Sequence, residues 1–459
     1  MTEQSSNQQR FSRRTMLKMT ALAGIGLVAA QYEGPALETP KAIPASAEKV
    51  QLRFVVMDYD EKMKPDTQAL VDAFNQSQDQ IEVALEVYAW PVGHDTLVTM
   101  ITGGQAPDVC NVNAQWLGEW TGIGEVLELD DLLSKEFLAN FVPSGLKAFT
   151  IKGKLMGMAY FLDPRALYYR KDLFEQKGLK PPKTWDDVVT AAKELHNGVD
   201  MFGIGLTFAR RSDDLDYWWY AWFGANGADA NVSIWTEDGH SRLNTPEAIQ
   251  ATQFLVDLAQ KHKVTNTDYT TAGRDEELQP LFYAGKLQAM PAGYQTDDKL
   301  AMLETGSWYP TLLANNAPDL AYGIEAIPVA KPELKSVTGF WPDCVILFKQ
   351  TKHPREAVTF LEYIFSKENR LLFAKQRGVI PERIDVGQDP AYAVSDVEKF
   401  FVEILQTAHN VYEAPFPETF YKTNTEVENL VGRAVAGEIS AEEAMKQAAE
   451  FCDTTNGLM

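Results

Sequence analysis

The chain has 459 residues, of which 45% are hydrophobic and 11% aromatic, and its formal net charge at pH 7 is −22. This length suits two or three domains, and the apolar content can build a large core, which excludes a disordered acidic tail. The acidic balance argues against nucleic acid as a partner, because phosphate backbones are bound by basic surfaces.

The first predicted element is a targeting segment. The stretch SRRTMLK (12–18) precedes the apolar run 19–30, which is too short to span a bilayer and therefore predicts a signal peptide. SRRTMLK resembles the twin-arginine export signal, which implies a prokaryotic protein exported to the periplasm in a folded state. We interpret residues 1–47 as signal peptide and leader, with cleavage at Ala45-Ser46-Ala47 or, alternatively, after Ala30.

Strands and helices then alternate along the chain. Leu52, Phe54 and Val56 lie on one face of a predicted strand, and residues 81–90 alternate apolar and polar side chains in the same way. Helical patches lie between these strands and after the second one. The stretch GGQAPDVCNVNA (103–114) supplies a Gly/Pro break and a short third strand. This order predicts βαβ units and a mostly parallel sheet.

Three later helices have clear start signals. Thr184 and Asp187 form a predicted capping box. Thr245 is predicted as an N-cap, with Pro246 at the first helical position, where its missing N–H costs nothing. Ser440 opens a further amphipathic helix.

Motifs for catalysis or metal binding are absent from the sequence. The six histidines are scattered without metal-ligand spacing, and no nucleophile elbow, phosphate loop or dinucleotide fingerprint occurs. We therefore expect no catalytic residue, no metal and no cofactor. A glycosidase needs only two carboxylates, so this class stays open. Cys110, Cys344 and Cys452 allow one disulfide at most, and we expect none.

One stretch carries a family resemblance. GKLMGMAYFLDPRALYYRKDLFEQKGLKPPKTWDDVVTAAKEL (153–195) resembles the signature region of the family 1 extracellular solute-binding proteins. These are the periplasmic receptors of ABC importers, and they include maltose-binding protein. The pattern G-K-x-Y-G-x-P, L-Y-Y-N-K-D-L-F and G-L-x-P-P-x-T-W-D is matched except at Met156, Ala159 and Arg170. GGQAPDV, FYAGKLQAMPAG and KHPREAVTFLEYIFSKENRLLFAKQRGVIPER resemble other family segments in the family's order.

The resemblance implies an α/β, two-lobed periplasmic binding protein fold of class II. Its sheets are mixed and mostly parallel, flanked by helices, and interlobe crossovers join the lobes. It assigns 48–162 and 291–338 to lobe 1, and 163–290 and 339–459 to lobe 2. In this fold the run 167–174 is a strand entering a helix just past the first crossing. Its aromatic side chains then need no catalytic role.

Ligands of open α/β sheets gather beyond the carboxyl ends of the strands. In this chain those ends pair aromatic residues with carboxylates or amides, which suits the C–H faces and hydroxyl groups of a sugar. Each position has an alternative: core packing for the tryptophans, an interlobe salt bridge for the acid–arginine pair, and turn capping for the amides. The candidate ligand-binding residues are Tyr59, Asp60, Asn113, Gln115, Trp116, Asp163, Arg165, Trp218, Trp219, Tyr294, Gln295, Trp341, Asp343 and Tyr421.

The sequence therefore predicts the monomeric, periplasmic substrate-binding component of an ABC importer, which captures a sugar or sugar derivative and delivers it to a membrane permease. It is not expected to be an enzyme. The first alternative is a non-sugar solute such as a polyamine or a phosphodiester. A carbohydrate-cleaving enzyme and a ferric receptor are the others.

Overall fold

The computed structural model describes these residues of the chain: 49–58, 62–208, 222–224, 226, 234–236, 238–271, 275–283, 299–340, 343–392, 395–405, 409–410 and 417–459. The expected twin-arginine leader, residues 1–47, lies outside them. The strands are, in chain order, β1 (Val50–Asp58), β2 (Ile81–Ala89), β3 (Val109–Asn113), β4 (Thr150–Ile151), β5 (Lys154–Leu155), β6 (Met158–Phe161), β7 (Arg165–Arg170), β8 (Met201–Phe202), β9 (Lys299–Leu300), β10 (Met302–Gly306), β11 (Tyr322–Glu325), β12 (Gly339–Phe340), β13 (Asp343–Leu347) and β14 (His409–Asn410).

The helices are, in chain order, α1 (Met63–Ser77), α2 (Trp90–Thr102), α3 (Ala114–Gly122), α4 (Lys135–Leu138), α5 (Pro143–Ala148), α6 (Lys171–Lys177), α7 (Trp185–Leu195), α8 (Pro246–Val256), α9 (Asp275–Tyr283), α10 (Tyr309–Asn316), α11 (Pro354–Ile364), α12 (Lys367–Arg377), α13 (Ile384–Gly387), α14 (Asp396–Leu405), α15 (Pro417–Val435) and α16 (Ala441–Thr455). A π-helical turn, Asp257–His262, continues α8. In the part of the chain that the structure describes, no helix has the length and apolar character needed to cross a bilayer.

The first sheet has the strand order β2-β1-β3-β13-β6. β1 pairs in parallel with β2 and β3, as the βαβ pattern predicts, whereas β13 runs antiparallel to β3 and β6. Leu52, Phe54 and Val56 are buried on one face of β1, and Val55 and Met57 are buried on the other. Helices therefore cover both faces of this sheet, which is why β1 is apolar on both sides.

The second sheet has the strand order β10-β7-β11, with both pairs antiparallel. Its central strand β7 leads directly into α6, which confirms the prediction for the run 167–174. Arg170 ends β7 and donates two hydrogen bonds to the Asp172 carboxylate, at 2.9 and 2.7 Å. This pair gives a structural reason for an arginine where the family pattern has asparagine.

Strand pairing relates the segments of the expected lobes to the two sheets. The resemblance assigns 291–338 to lobe 1, yet β10 and β11, which lie in this segment, pair with β7. It assigns 339–459 to lobe 2, yet β13 pairs with β3 and β6 of the first sheet. The chain therefore leaves the first sheet between β6 and β7 and returns to it between β11 and β13. Backbone pairing decides where the chain crosses back, and the residue pattern does not record it.

The predicted helix starts are confirmed. Thr184 and Asp187 form a capping box at the start of α7, with each side chain bonded to the other residue's backbone N–H. The Thr245 hydroxyl accepts from a backbone N–H of α8, and Pro246 occupies the first turn of that helix. Ser440 caps α16 in the same way. These local signals were sufficient because capping depends only on neighbouring residues.

Helix α15 links the layers of the two sheets. It contacts α3, which follows β3 of the first sheet, and it also contacts α8 and α16. The segment after β8 ties the α8 layer to the second sheet, since the N–H of Gly203 donates to Val264 and that of Gly205 to Met302 of β10. Helix α15 therefore connects the helices beside the first sheet with those beside the second sheet.

A buried ion pair stabilises the helices beside β6. Arg370 Nε lies 2.6 Å from Glu382 Oε1, and the two side chains are only 2% and 1% exposed. The guanidinium also donates to the carbonyl of Tyr160 and lies over the Phe373 ring, 4.2 Å from its centroid. Burial raises the pKa of Glu382, and the attraction of Arg370 opposes that rise. Each charge therefore depends on the other.

We predict that Arg370→Met lowers the free energy of unfolding by about 3–5 kcal/mol, because it leaves the Glu382 carboxyl buried without its partner. Urea unfolding measures this change. The matched control is Lys367→Met, which removes a Lys367–Asp389 pair whose lysine side chain is 40% exposed, and which should cost less than about 1 kcal/mol. Equal losses in the two variants would contradict the prediction.

Candidate functional site

The carboxyl ends of β1, β2 and β3 meet at one edge of the first sheet. Asp58 is the last residue of β1, Trp90 begins α2 directly after β2, and Asn113 ends β3. Asp343, the first residue of β13, is paired with Asn113 and is 9% exposed. The edge therefore brings together two of the candidate residues, Asn113 and Asp343, from strands distant in sequence.

Asn113 has a structural role in addition. Its side-chain oxygen accepts a hydrogen bond from the backbone N–H of Trp116 at 3.0 Å and so caps α3. This is the alternative that the sequence left open for the loop amides. The neighbouring candidate, Gln115, is 5% exposed. The start of α3 thus fixes the backbone at this edge.

Trp116 belongs to an aromatic cluster formed by side chains of α2, α3 and α15. This cluster consists of Trp90, His94, Trp116, Trp120 and Tyr421. Trp116 is 1% exposed, and its ring centroid lies 5.2 Å from that of Trp90 and 5.9 Å from that of Trp120. The placement favours core packing, the alternative interpretation of this tryptophan.

His94 is at the centre of the aromatic cluster. Its ring stacks on Tyr421 of α15, with the centroids 4.4 Å apart, and its Nε2 lies 2.8 Å from the Glu119 carboxylate of α3. Burial lowers the pKa of His94, but the hydrogen bond to Glu119 and the charges of Glu119 and Asp95 together raise that pKa above its ordinary value. The candidate Tyr421 therefore belongs to a contact between α2 and α15.

A second cluster, which we call the crossing cluster, lies where the chain passes between the sheets. It consists of Asp163, Arg165, Ser307, Trp308 and Thr338. Asp163 Oδ2 lies 3.2 Å from Arg165 Nε, both side chains being 3% exposed. Asp163 Oδ1 accepts from the Ser307 N–H at 3.1 Å, and the Arg165 guanidinium lies 4.7 Å from the Trp308 ring centroid.

The crossing cluster joins three segments of the chain. The Thr338 hydroxyl, just before β12, donates to the Arg165 carbonyl at 2.9 Å. Thus the segment before β7, the end of β10 and the segment before β12 are held together. Asp163 and Arg165 form the salt bridge that the sequence offered as the alternative to a ligand contact.

The remaining candidates lie outside the described residues. They are Tyr59, Asp60, Trp218, Trp219, Tyr294, Gln295 and Trp341. Among the described residues, no group of three or more His, Cys, Asp or Glu side chains could hold a metal ion. The three cysteines are buried free thiols.

Several residues of both clusters were not selected from the sequence. Trp90, His94 and Trp120 are examples in the aromatic cluster, and Ser307 and Trp308 in the crossing cluster. One signal was available, because Trp116 and Trp120 are four residues apart and so share a helix face. The other contacts join residues far apart in the chain, and no local pattern marks them.

Comparison with known proteins assigns the family. A family model described as bacterial extracellular solute-binding protein matches residues 69–400, which is more than half of the chain. The chain belongs to this family. The match runs through both sheets, and it confirms the resemblance on which the expected fold was based.

Individual relatives of this solute-binding protein agree with the family assignment. A binding protein of Brucella abortus whose name gives no ligand is 29% identical over 342 residues, covering 74% of this chain and 78% of its own. The arabinooligosaccharide-binding protein of Halalkalibacterium halodurans is 25% identical over 332 residues, covering 70% and 69%. The solved structure of a maltose-bound T. maritima protein superimposes with a TM-score of 0.74 at 23% identity, covering 88% of this chain and 99% of that one. The two-lobed fold is confirmed.

We predict that Glu119→Gln lowers the pKa of His94, because it removes the carboxylate that favours the imidazolium. A group with a raised pKa stabilises the folded state below its ordinary pKa, and this contribution is lost as the pH rises through the raised pKa. The variant should therefore be less stable than the wild type, by about 1 kcal/mol, below about pH 6. The difference should shrink towards pH 8.

NMR titration of the His94 ring and urea unfolding at several pH values measure these effects. The matched control is Asp95→Asn, which removes a carboxylate that is 98% exposed and 3.5 Å from His94 Nδ1. Solvent screens this charge, so its loss should shift the pKa of His94 less. A larger shift in the control than in Glu119→Gln would refute the assigned partner.

Proposed function

We propose that this solute-binding protein is the substrate-binding component of an ABC importer, and that it captures a sugar or sugar derivative between its lobes and delivers it to a membrane permease. One observation carries the proposal: a relative aligned with 70% of the chain is named for oligosaccharide binding. The maltose in the similar solved structure supports the same ligand class. The protein binds its ligand without altering a covalent bond.

The chemistry of the strand ends supports a carbohydrate. Hydroxyl groups need carboxylate and amide partners, and the C–H face of a sugar ring packs on a flat aromatic ring with little loss of rotamer entropy. Asn113 and Asp343 supply an amide and a carboxylate at the described edge. Tyr59, Asp60 and Trp341 flank β1 and β13 in the sequence. We propose these five residues as ligand contacts, together with the candidates Trp218, Trp219, Tyr294 and Gln295.

Closure around the ligand follows from contacts with both lobes. A ligand favours the closed state only by the difference between its affinities for the closed and open states. The crossing cluster restrains the chain where it passes between the sheets, and α15 adds a further connection to α3. The closed form is then the one presented to the permease.

The export route is the part of the proposal that depends on the leader alone. Residues 12–18 resemble a twin-arginine signal, so we propose that the chain is exported folded and acts in the periplasm as a monomer. Family membership supports a location outside the cytoplasm.

We predict that calorimetry against a panel containing arabinose oligosaccharides, maltose and monosaccharides detects at least one ligand with a dissociation constant of about 1 μM, equivalent to about −8 kcal/mol. X-ray scattering should show a smaller radius of gyration with that ligand. Chromatography should recover the sugar unchanged, and cleavage would show an enzyme instead. No binding of any carbohydrate, with binding of spermidine or a phosphodiester, would overturn the sugar assignment.

We predict that Trp341→Ala weakens binding of the sugar found in that panel about tenfold or more, because truncating a stacked aromatic anchor costs about 2 kcal/mol or more. Trp341→Phe is the matched control, since it keeps a flat ring and should retain most of the affinity. If both variants bind like the wild type, Trp341 is not a ligand contact.

A further inference from the structure

A surface cavity that is open to solvent lies beside α7 and the π-helical turn, separate from the described part of the candidate site. Its volume is about 310 Å³, at the lower end of the range of small-molecule pockets. His196, Phe202, Gln260, Lys263 and Asn266 are among its lining residues. None of the candidate ligand residues that the structure describes and no member of the crossing cluster contributes to it. We call it the lateral cavity.

The wall of the lateral cavity has an unusual backbone. The π-helical turn Asp257–His262 contributes Gln260, and Lys263 ends the turn in a left-handed conformation with φ of 54°. Such a conformation is unfavourable for a residue with a side chain, and both π-helical turns and strained residues occur preferentially at functional sites. Gln260 is fixed in place because its amide donates to the Tyr269 hydroxyl at 2.9 Å and to the Val435 carbonyl at 2.8 Å.

The lateral cavity has one formally charged residue, Lys263, among the lining residues that the structure describes. These lining residues include no carboxylate, although the whole chain carries a formal charge of −22. The nearby carboxylates are paired elsewhere: Asp257 with Lys261 at 2.9 Å, and Asp200 with Lys299 at 3.4 Å. Asp268 accepts from the Asn266 amide at 2.8 Å.

The positive charges that act on the neighbouring His262 come from outside the cavity lining. Burial lowers the pKa of His262, and the charges of Lys193 and Lys261 lower it further. Lys263 is exposed, and within the described ranges no carboxylate lies within ion-pair distance of its ammonium group. Lys263 therefore presents a cation that has no ion-pair partner among the described residues.

His196 adds a hydrogen-bond donor to the lateral cavity. Its Nδ1 is buried and has no hydrogen-bond partner among the described atoms. A buried N–H without an acceptor costs more than a buried lone pair, so the ring proton belongs on Nε2. This Nε2 lies close to Gly198, another lining residue. A Cβ added to Gly198 would be 3.8 Å from His196 Nε2. Burial lowers the pKa of His196, so the neutral ring is the relevant form.

We propose that the lateral cavity binds a small oxyanion, with the Lys263 ammonium and His196 Nε2–H as donors. Phosphate and carboxylate groups accept such charge-assisted hydrogen bonds. A phosphate or carboxylate group fits within the volume of this cavity. This site is independent of the proposed sugar binding, and either can fail without the other.

The test uses the exported chain and titrates inorganic phosphate and, in a second arm, acetate, at constant ionic strength set with sodium chloride. Isothermal calorimetry and amide chemical shifts of residues 196–202 and 259–269 are the measurements. We expect saturable binding of at least one anion, with shifts confined to these segments. Binding in one arm only identifies the group as phosphate-like or carboxylate-like. Binding in neither arm overturns the proposal.

Lys263→Asn should weaken the affinity about tenfold or more, as expected for the loss of one charge-assisted hydrogen bond. Asparagine tolerates the left-handed backbone, and Lys263→Gly is a second variant with the same backbone freedom. The matched control is Lys261→Gln, which removes an equal charge from the π-helical turn but not from the cavity lining. Equal weakening in Lys261→Gln and Lys263→Asn would show a general charge effect and overturn the site.

Discussion

The buried pair of Asp163 and Arg165 is the constraint on which the two-lobed arrangement depends. A buried carboxylate and a buried guanidinium are tolerated only when each neutralises the other and their remaining bonds are satisfied. Here the second oxygen of Asp163 accepts from Ser307, and the guanidinium lies over Trp308. Because Ser307 and Trp308 follow β10 and Thr338 precedes β12, the pair fixes three separate segments at one point. These contacts determine how the chain passes between the two sheets.

Helix α15 gives the fold a second connection of a different kind. Tyr421 reaches from α15 to the His94 ring of α2, and Glu119 of α3 holds the other edge of that ring. Gly122, at the end of α3, would place a Cβ 2.3 Å from the Glu418 side chain, so only a glycine allows this close approach of α15. The contact is aromatic and partly ionic, whereas the crossing cluster is a buried ion pair. Closure of the lobes around a ligand has to be compatible with both connections.

Sequence reasoning succeeded for features that are local or shared by the family. The strand entering a helix at 167–174, the capping box at Thr184 and the buried face of β1 follow from neighbouring residues or from period-two alternation. It was less successful with side chains whose environment depends on distant segments. Trp116 was a candidate platform for a sugar, and it lies in the aromatic cluster because Trp90 and Trp120 surround it.

The sequence by itself determined the family, the acidic balance, and the order and starts of most elements, because these depend on local residue patterns. Only the tertiary structure decided that β13 returns to the first sheet, that β10 and β11 join the second, and that Asp163 and Arg165 contact Ser307 and Trp308. It also decided that Lys263 and His196 line one cavity. The physical reason is that these outcomes depend on hydrogen-bond pairing and burial between segments many residues apart, and such contacts leave no period or spacing in the chain.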